Sequence, residues 1–329
     1  MRKTTVRNRY PLNQSPLFCL RRRKGLAELL GVSLKTLENL ANANPPEYMC
    51  FGKTIRKNGK EKRRDIEWPK KPLRRVQRRV AHILDRIEPP DYIQSGFRER
   101  SYIKNALSHP CGTRIAKIDI RGFFPNSSAR WVRRCFVDDF QCSDDVAAIL
   151  TKLLTFAGHL PTGGNASTII SFYAYRPMFD RIQELAVSRG LRMTCCVDDM
   201  TFSGTAATSA FLNEVRKIVQ QHGLRTHKVH YFEAHQPKIV TGVALTSKGY
   251  RLPNVRRKKL HEDFEEFQRE SDANARVKIG ERLLGRAVEA AQIEARFQPQ
   301  VRAAAGMLKE AKALAKATVV QGVPSGSGE

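Results

Sequence analysis

Short apolar patterns near the start of the chain predict a pair of helices. Between residues 25 and 42, leucines recur three and four positions apart on both sides of Gly31. This spacing is typical of two short helices, with Ser33 as the N-cap of the second. The pair has the pattern of a helix-turn-helix, but an ordinary helical hairpin is the preferred interpretation because stronger signals follow it.

The next segment predicts a β-hairpin followed by a longer helix. Residues 48–69 contain two β-prone runs on either side of Asn58-Gly59, and Asn-Gly between such runs is a strong hairpin signal. The hairpin would display many basic side chains. Residues 72–88 then carry apolar side chains on one helical face and arginines on the other.

The middle of the chain alternates between strand-like and helix-like patterns. Strands are predicted at residues 113–120, in two halves of 191–204, and twice within 227–245. The chain is predicted to be almost wholly helical after residue 254, and the predicted helices before it are 127–140, 143–156, 169–187 and 208–222. The fold class predicted by this order is α+β, with an antiparallel sheet backed by helices.

The charge of the chain indicates a polyanionic partner. Lys and Arg number 58 against 32 Asp and Glu, for a net charge of +26. Residues 1–80 hold 22 of these basic side chains and only 6 acidic ones, and residues 255–259 form a second basic block. Such blocks suit nucleic acid, whose counterions they release. A membrane surface is disfavoured, since no basic stretch has a matching apolar helical face.

Composition also indicates where the protein works. The 329 residues are 41% hydrophobic, enough for a packed core. No run approaches the roughly 20 apolar residues of a membrane span, and no signal-peptide pattern opens the chain. The seven cysteines show no CxxC spacing, so reduced thiols in the cytoplasm are expected.

One of three Asp-Asp pairs stands out as a candidate site. Two pairs fall in helical patterns and have structural explanations; these pairs are Asp138-Asp139 and Asp144-Asp145. Asp198 and Asp199 instead interrupt an apolar run, where two charges are costly unless they are paired. Asp119 ends a second apolar strand.

Carboxylates from adjacent strands are suited to holding two Mg²⁺ ions about 3.5–4 Å apart. In that arrangement one ion activates a hydroxyl and the other supports a leaving phosphate. Asp119, Asp198 and Asp199 therefore predict nucleotidyl transfer. The competing explanation makes each acid a turn residue, and it is weaker for both motifs in this order.

Several sequence blocks resemble those of reverse transcriptases in order and spacing. The blocks are IDIRGFF at 118–124, LPTG at 160–163, CVDDMTFSG at 196–204, and Lys228. Residues 105–109 fit an NAxxH signature and residues 240–242 fit a VTG signature, both of which resemble bacterial retron reverse transcriptases. The resemblance spans most of the chain.

The resemblance implies a role for each matching residue. Asp119, Asp198 and Asp199 would form the Mg²⁺ site with the Ile120 carbonyl, and Phe124 would lie under the incoming sugar and reject a 2′-hydroxyl. The other substrate-binding residues would be Lys62, Arg64, Thr162, Gly163 and Lys228. The RNA-binding residues would be Asn105, His109, Val240, Thr241, Gly242, Arg256, Arg257, Lys258 and Lys259.

Two positions depart from the family pattern. Cys196 stands two residues before Asp198, where the family usually has tyrosine, so an aromatic contact to the primer end is missing. Thr162 stands where glutamine is common and reaches less far. Both departures bear on efficiency and nucleotide handling.

The resemblance also implies a domain organisation and a function. A right-hand polymerase would comprise a helical RNA-binding region (1–47), fingers and palm (48–250), a helical thumb (251–321) and a flexible tail (322–329). It would copy part of a cognate structured noncoding RNA into multicopy single-stranded DNA. It would use deoxynucleoside triphosphates and an RNA 2′-hydroxyl primer, and serve anti-phage defence beside a separate effector protein.

Two other functions stay open at this point. One is another bacterial reverse transcriptase, of a defence or group II intron type, although the chain is short for an intron protein with its maturase extension. The other is a non-catalytic RNA-binding scaffold with a polymerase fold. Four histidines between residues 222 and 235 are interpreted as surface residues, since no cysteine pair at zinc-finger spacing accompanies them.

Overall fold

The computed structural model describes residues 8–57 and 60–321. The predicted turn at Asn58-Gly59 and the predicted tail at 322–329 lie outside the described residues. The chain divides into two compact units. The first comprises Met1–Asn105 and Arg114–Tyr231, and the second comprises Ala106–Thr113 and Phe232–Glu329.

The predicted pair of N-terminal helices is present. Helix α1 (Arg23–Leu30) ends at Gly31, whose φ of 70° is a conformation that favours glycine. Helix α2 (Leu34–Ala41) begins after Ser33, whose hydroxyl accepts a hydrogen bond from the Thr36 amide at 3.1 Å. The prediction of two helices with a serine cap is confirmed.

The predicted hairpin and the helix after it are also present. Strands β1 (Tyr48–Lys57) and β2 (Lys60–Pro69) pair antiparallel. Helix α3 (Lys71–Leu84) follows and buries its apolar face in the core. It ends four residues earlier than predicted, and Ile87 instead forms a bridge with Tyr10.

Helices and strands alternate through the middle of the chain. In order they are α4 (Tyr102–Leu107), β3 (Ile115–Ile120), α5 (Phe123–Asn126), α6 (Ala129–Arg134), α7 (Asp144–Leu154), α8 (Ser167–Ala174), α9 (Arg176–Ser188), β4 (Arg192–Cys196), β5 (Asp199–Ser203), α10 (Ser209–Gln221) and β6 (Thr226–Phe232).

Two helices predicted as continuous are divided. The segment predicted at 127–140 changes after α6 into a π-helical turn at Cys135–Asp139. The segment predicted at 169–187 breaks at Tyr175 between α8 and α9. Pro177 explains this break, because it has no amide hydrogen to continue the hydrogen bonds of α8.

A four-stranded sheet in the order β4-β5-β3-β6 organises the first unit. Strand β5 pairs antiparallel with both β3 and β4. Its Met200 and Phe202 side chains are fully buried, and helices α9 and α10 pack against β4 and β3. The predicted α+β class, with an antiparallel sheet backed by helices, is confirmed.

The second unit contains a small sheet and three helices. Its strands are β7 (Lys238–Val240), β8 (Val243–Thr246) and β9 (Gly249–Arg251), and its helices are α11 (Asn254–Arg269), α12 (Ala273–Ile293) and α13 (Gln298–Gln321). The prediction of two strands within 227–245 was wrong, because three strands overlap this range: β6, β7 and β8. Thr241 and Gly242 separate β7 from β8, and their positive φ values of 41° and 91° are typical of a two-residue hairpin turn.

Crossing a lipid bilayer requires helices that are both long and apolar. Within the described residues, none combines the length and the apolar composition that a bilayer crossing requires.

A buried lysine joins separate segments of the second unit. Lys238 is only 2% exposed. Its ammonium group donates hydrogen bonds to the carbonyls of Glu233 at 3.0 Å and Ala234 at 3.2 Å, and also to the carbonyl of Thr113. One side chain therefore holds the 106–113 segment to β7.

Replacing Lys238 by methionine should destabilise the protein. Methionine fills a similar volume but leaves these buried carbonyls without a donor, which costs about 2–3 kcal/mol. Urea unfolding of Lys238→Met against wild type measures the loss. Lys248→Met is the matched control, because Lys248 is exposed. Equal midpoints for the two variants would contradict this account.

Candidate active site

The turn between β4 and β5 is held in an unusual backbone conformation. Val197 has a φ of 63°, which is an outlier for a β-branched residue. Its amide donates a hydrogen bond to the Ser95 hydroxyl at 2.7 Å. The Cys195 amide also donates to the Tyr92 carbonyl at 2.7 Å, and the Cys195 carbonyl accepts from the Gln94 amide at 2.8 Å. Residues 92–95 therefore brace the turn that carries the candidate aspartates.

The strand register brings the three aspartates to one end of the sheet. Asp119 on β3 lies directly opposite Asp199 on β5. The Asp198 carbonyl accepts a hydrogen bond from the Ile120 amide at 3.0 Å, which ties the turn to the end of β3. The predicted clustering of Asp119, Asp198 and Asp199 follows from these contacts.

Three cationic or titratable side chains contact these carboxylates. Asp119 lies 3.2 Å from the Lys228 ammonium and 3.1 Å from the His227 imidazole. Asp199 lies 3.3 Å from the Lys117 ammonium. In this state the protein's own side chains offset the negative charge.

The backbone explains how two neighbouring residues reach the same carboxylate. Adjacent residues of a regular strand point to opposite faces. Lys228, however, has a φ of 51°, which breaks this alternation inside β6. Both Lys228 and His227 can therefore contact Asp119.

Burial and crowding shift the ionisation of the site. Burial, followed by the charge of Asp119, raises the pKa of Asp198 to about 6. Burial also raises the pKa of Asp199, against the opposing effect of Lys117. Burial raises the pKa of the Cys196 thiol to about 11, so this thiol is neutral at physiological pH.

The donor set fits a hard divalent cation, but the carboxylates are not arranged as a finished metal site. Within residues 8–57 and 60–321, no group of three His, Cys, Asp or Glu side chains is placed to hold a metal ion. Carboxylate oxygens are the ligands that Mg²⁺ prefers. In this structure Lys117 contacts one oxygen of Asp199, and Lys228 contacts one oxygen of Asp119. The Ile120 carbonyl ligand stays a prediction.

Phe124 lies just past the end of β3, in helix α5. Gly122 precedes the helix with a φ of 56°, and the Asn126 side chain donates hydrogen bonds to the carbonyls of Arg121 and Gly122 at 3.0 Å each. The Phe124 ring is half-buried and stacks on Phe123 with the ring centres 6.0 Å apart. Its role under a sugar stays a prediction.

The LPTG loop is bound to the β1–β2 hairpin. The Thr162 hydroxyl donates to the Asp65 carbonyl at 2.7 Å, and the Thr162 amide donates to the Glu67 carboxylate at 3.1 Å. A Cβ atom on Gly163 would lie 2.6 Å from the Glu67 carbonyl oxygen, so glycine is required for this close approach. These contacts give Thr162 and Gly163 a structural function beside their predicted substrate contacts.

The predicted triphosphate-binding residues of the hairpin lie on β2. Arg64 is exposed and pairs with Lys53 across the strands. The backbone of Lys62 pairs with Ile55, and its side chain lies outside the described part of the chain. Their contacts with a substrate stay predictions.

The two predicted RNA-binding residues of the NAxxH signature are fully buried. Asn105 and His109 are each 0% exposed. The Tyr250 hydroxyl, which belongs to the second unit with His109, donates to the His109 carbonyl at 3.0 Å. Packing inside the protein is therefore a sufficient explanation for both residues in this structure.

The VTG signature comprises the last residue of β7 and the two residues of the turn before β8. Val240 is fully buried, whereas Thr241 and Gly242 are half-buried. The Arg256 side chain packs against Gly242 and forms an ion pair with Glu289. Three of the four predicted basic residues of α11 are exposed; they are Arg257, Lys258 and Lys259.

Sequence reasoning missed two residues beside the aspartates. Lys117 precedes Asp119 by two positions on β3, so the strand period places both on the same face. The position of Lys117 beside the aspartates could therefore have been predicted from the sequence. His227 was interpreted as a surface histidine. Its contact with Asp119 depends on the backbone conformation at Lys228, which the sequence pattern does not reveal.

The chain is similar to three curated retron reverse transcriptases. The Se72 enzyme of Salmonella heidelberg (strain 579083-10) is 29% identical over 223 residues, which is 66% of this chain and 56% of that protein. The Ec86 enzyme of Escherichia coli is 28% identical over 205 residues, 62% of this chain and 63% of that protein. The Mx162 enzyme of Myxococcus xanthus is 26% identical over 270 residues, 71% of this chain and 55% of that protein.

These matches confirm the resemblance to retron reverse transcriptases. The chain spans between 55% and 63% of the length of these three curated relatives. No protein-family model matches the chain. Among solved structures, a foamy viral protease-reverse transcriptase in complex with double-stranded DNA aligns with a TM-score of 0.43 and 15% identity, over 74% of this chain and 36% of that one.

Replacing Asp198 by asparagine should stabilise the protein in metal-free buffer. The raised pKa of about 6 means that ionised Asp198 disfavours the folded state at neutral pH. Asparagine removes this cost, and we expect a gain of roughly 1–2 kcal/mol after allowance for solvent screening. The gain in stability should be largest above pH 6. It should shrink as the pH falls towards 3.8, which is the ordinary pKa of an aspartate carboxyl group.

Thermal unfolding between pH 4 and pH 8 measures this effect, with Glu88→Gln at an exposed position as the control. Added Mg²⁺ should then stabilise wild type more than Asp198→Asn, because a ligand stabilises the state that binds it. Equal stability of wild type and Asp198→Asn at pH 8 would contradict the predicted cost of ionisation.

Proposed function

We propose that this chain is a retron-type RNA-directed DNA polymerase. It copies part of a cognate structured noncoding RNA into multicopy single-stranded DNA, with an RNA 2′-hydroxyl as the primer. The observation that carries the proposal is the placement of Asp119, Asp198 and Asp199 at one end of the sheet, beside Lys117 and Lys228. The similarity to retron reverse transcriptases supports it.

The three aspartates would hold two Mg²⁺ ions, which supply a lowered pKa for the attacking hydroxyl and charge neutralisation at the leaving phosphate. The protein's own side chains bind and orient the substrate. Lys228 is 59% exposed at its side chain and contacts Asp119, so it is positioned to bind an anionic triphosphate. Nucleotidyl transfer depends mainly on such positioning and charge neutralisation.

Nucleic-acid binding is supported by the distribution of charge. The surplus of basic residues in the first quarter of the chain and the exposed cations of α11 suit phosphates.

We assign residues 48–250 to fingers and palm, residues 251–321 to the thumb, and residues 1–47 to RNA binding. The RNA and its DNA product serve anti-phage defence together with a separate effector protein. All seven cysteines are free, which supports a reducing, cytoplasmic location.

Primer extension on a cognate RNA is the direct test of the reaction. The double substitution Asp198→Asn/Asp199→Asn should lower DNA synthesis by at least about 1,000-fold, because it removes charge from the metal ligands. The matched control is Asp138→Asn/Asp139→Asn, which removes an Asp pair from the π-helical turn. We expect this control to retain activity within about threefold of wild type.

RNA binding by the same variants distinguishes an active polymerase from a non-catalytic RNA-binding scaffold. Both double variants should bind the RNA as wild type does, because basic surfaces hold the phosphates. DNA synthesis that survives loss of Asp198 and Asp199 would refute the proposed site. Absence of synthesis by the folded wild type, with RNA binding intact, would favour the non-catalytic scaffold.

The proposed sugar contact gives an independent prediction about substrate choice. If Phe124 lies beneath the sugar, Phe124→Ala should raise incorporation of ribonucleotides relative to deoxynucleotides by about tenfold or more, since space opens for the 2′-hydroxyl. Single-nucleotide incorporation kinetics with both substrates measure the ratio. Phe124→Tyr keeps the ring and should keep the discrimination. An unchanged ratio in an active Phe124→Ala protein would assign the gate to another residue.

A further inference from the structure

A groove in the first unit takes no part in the candidate site. It lies between the α1–α2 pair and α3 and encloses about 840 Å³. Its floor is aliphatic, with Leu29, Leu30, Val32 and Leu40 among the lining residues. We call it the α1–α3 groove.

One edge of the α1–α3 groove is strongly cationic. Lysine, arginine and histidine side chains of α3 line it from Lys71 to His82, whereas Glu28 is the acidic side chain among the lining residues. Arg79 donates a hydrogen bond to the Leu29 carbonyl at 2.9 Å, so part of this edge stabilises the groove itself.

Two arginines of this edge are available to a partner. Arg75 and Arg78 are exposed. Among the described residues, neither side chain is ion-paired with a carboxylate. The groove therefore combines an aliphatic floor with cationic groups that need a complementary anion.

A nucleic acid would contact the cationic edge of this groove but not its aliphatic floor. Single strands bind proteins largely by stacking bases on aromatic side chains, yet the described lining residues include no phenylalanine, tyrosine or tryptophan. A duplex presents phosphates and 2′-hydroxyls. These would reach the arginines at the edge and leave the aliphatic floor uncovered.

An amphipathic helix with acidic side chains beside its apolar stripe is complementary to both the aliphatic floor and the cationic edge. Such helices bind grooves through apolar side chains at positions i, i+3, i+4 and i+7. The α3 edge from Lys71 to His82 rises about 16 Å at roughly 1.5 Å per residue, which is the length of three helical turns. Glutamates or aspartates beside the apolar stripe would then meet Arg75 and Arg78.

We propose that the α1–α3 groove is a docking site for an acidic amphipathic helix of a protein partner. The aliphatic floor receives the apolar stripe of the helix, and the α3 arginines bind its carboxylates. This site is separate from the aspartates of the sheet, so its occupation does not require nucleotidyl transfer.

A designed peptide tests the proposal with the full-length protein. The probe is a fluorescein-labelled helix of about 18 residues, with leucines at heptad spacing and glutamates at the flanking positions. One control peptide has the same composition in scrambled order, and a second has serine in place of leucine. A labelled single-stranded RNA of uridines and an RNA duplex are the nucleic-acid probes. Fluorescence anisotropy at two salt concentrations gives each affinity.

Two protein variants with the same change in charge complete the design. Arg75→Glu/Arg78→Glu reverses the groove edge. Arg181→Glu/Lys217→Glu reverses two exposed cations on α9 and α10, outside the groove. All four positions are exposed, and thermal unfolding verifies that both variants are folded.

Saturable binding of the amphipathic peptide is expected, with at least about tenfold weaker binding of both control peptides. The groove variant should lose at least about tenfold in peptide affinity, and the α9–α10 variant should lose less than about twofold. Equal losses in both variants, equal binding of the scrambled peptide, or no saturable binding would overturn the proposal. Selective loss of RNA binding in the groove variant, with peptide binding unchanged, would assign the groove to RNA instead.

Discussion

Three carboxylates share one end of the central sheet, and their mutual repulsion has to be offset by the groups around them. Strand pairing sets Asp119 against Asp199, and a hydrogen bond from the Ile120 amide holds the turn that carries Asp198. Lys117 and Lys228 then supply the opposite charge. The two lysines therefore stabilise the ionised carboxylates in the folded protein.

Backbone strain at this end of the sheet is part of the same arrangement. Val197 and Lys228 both have positive φ, although neither is glycine. Such conformations cost of order 1–3 kcal/mol each and persist only where surrounding contacts fix them. Ser95 supplies one of those contacts at Val197. The two strained residues lie beside the aspartates that the sequence selects as catalytic, a combination that is common at functional sites.

The sequence was most informative where chemistry and local pattern coincide. Asp198 and Asp199 interrupt an apolar run, Ser33 precedes a helical pattern, and Asn-Gly separates two β-prone runs, so these features could be predicted without tertiary information. The contacts of His227 and Thr162 could not. They join β6 to β3 and the LPTG loop to β2, and they depend on backbone conformation and on docking between segments far apart in the chain. The break at Tyr175 was in principle predictable, because Pro177 follows it.

Glu67 joins strand β2 to the loop that contains the LPTG block. Its carboxylate accepts from the Thr162 amide and lies 2.9 Å from the His159 imidazole, while its carbonyl accepts from the Gly163 amide at 3.2 Å. The Glu67 amide also donates to the Thr162 hydroxyl at 3.3 Å, so both the side chain and the backbone of this residue attach β2 to the loop. Because one residue carries these attachments, a displacement of β2 at Glu67 would displace the loop with it.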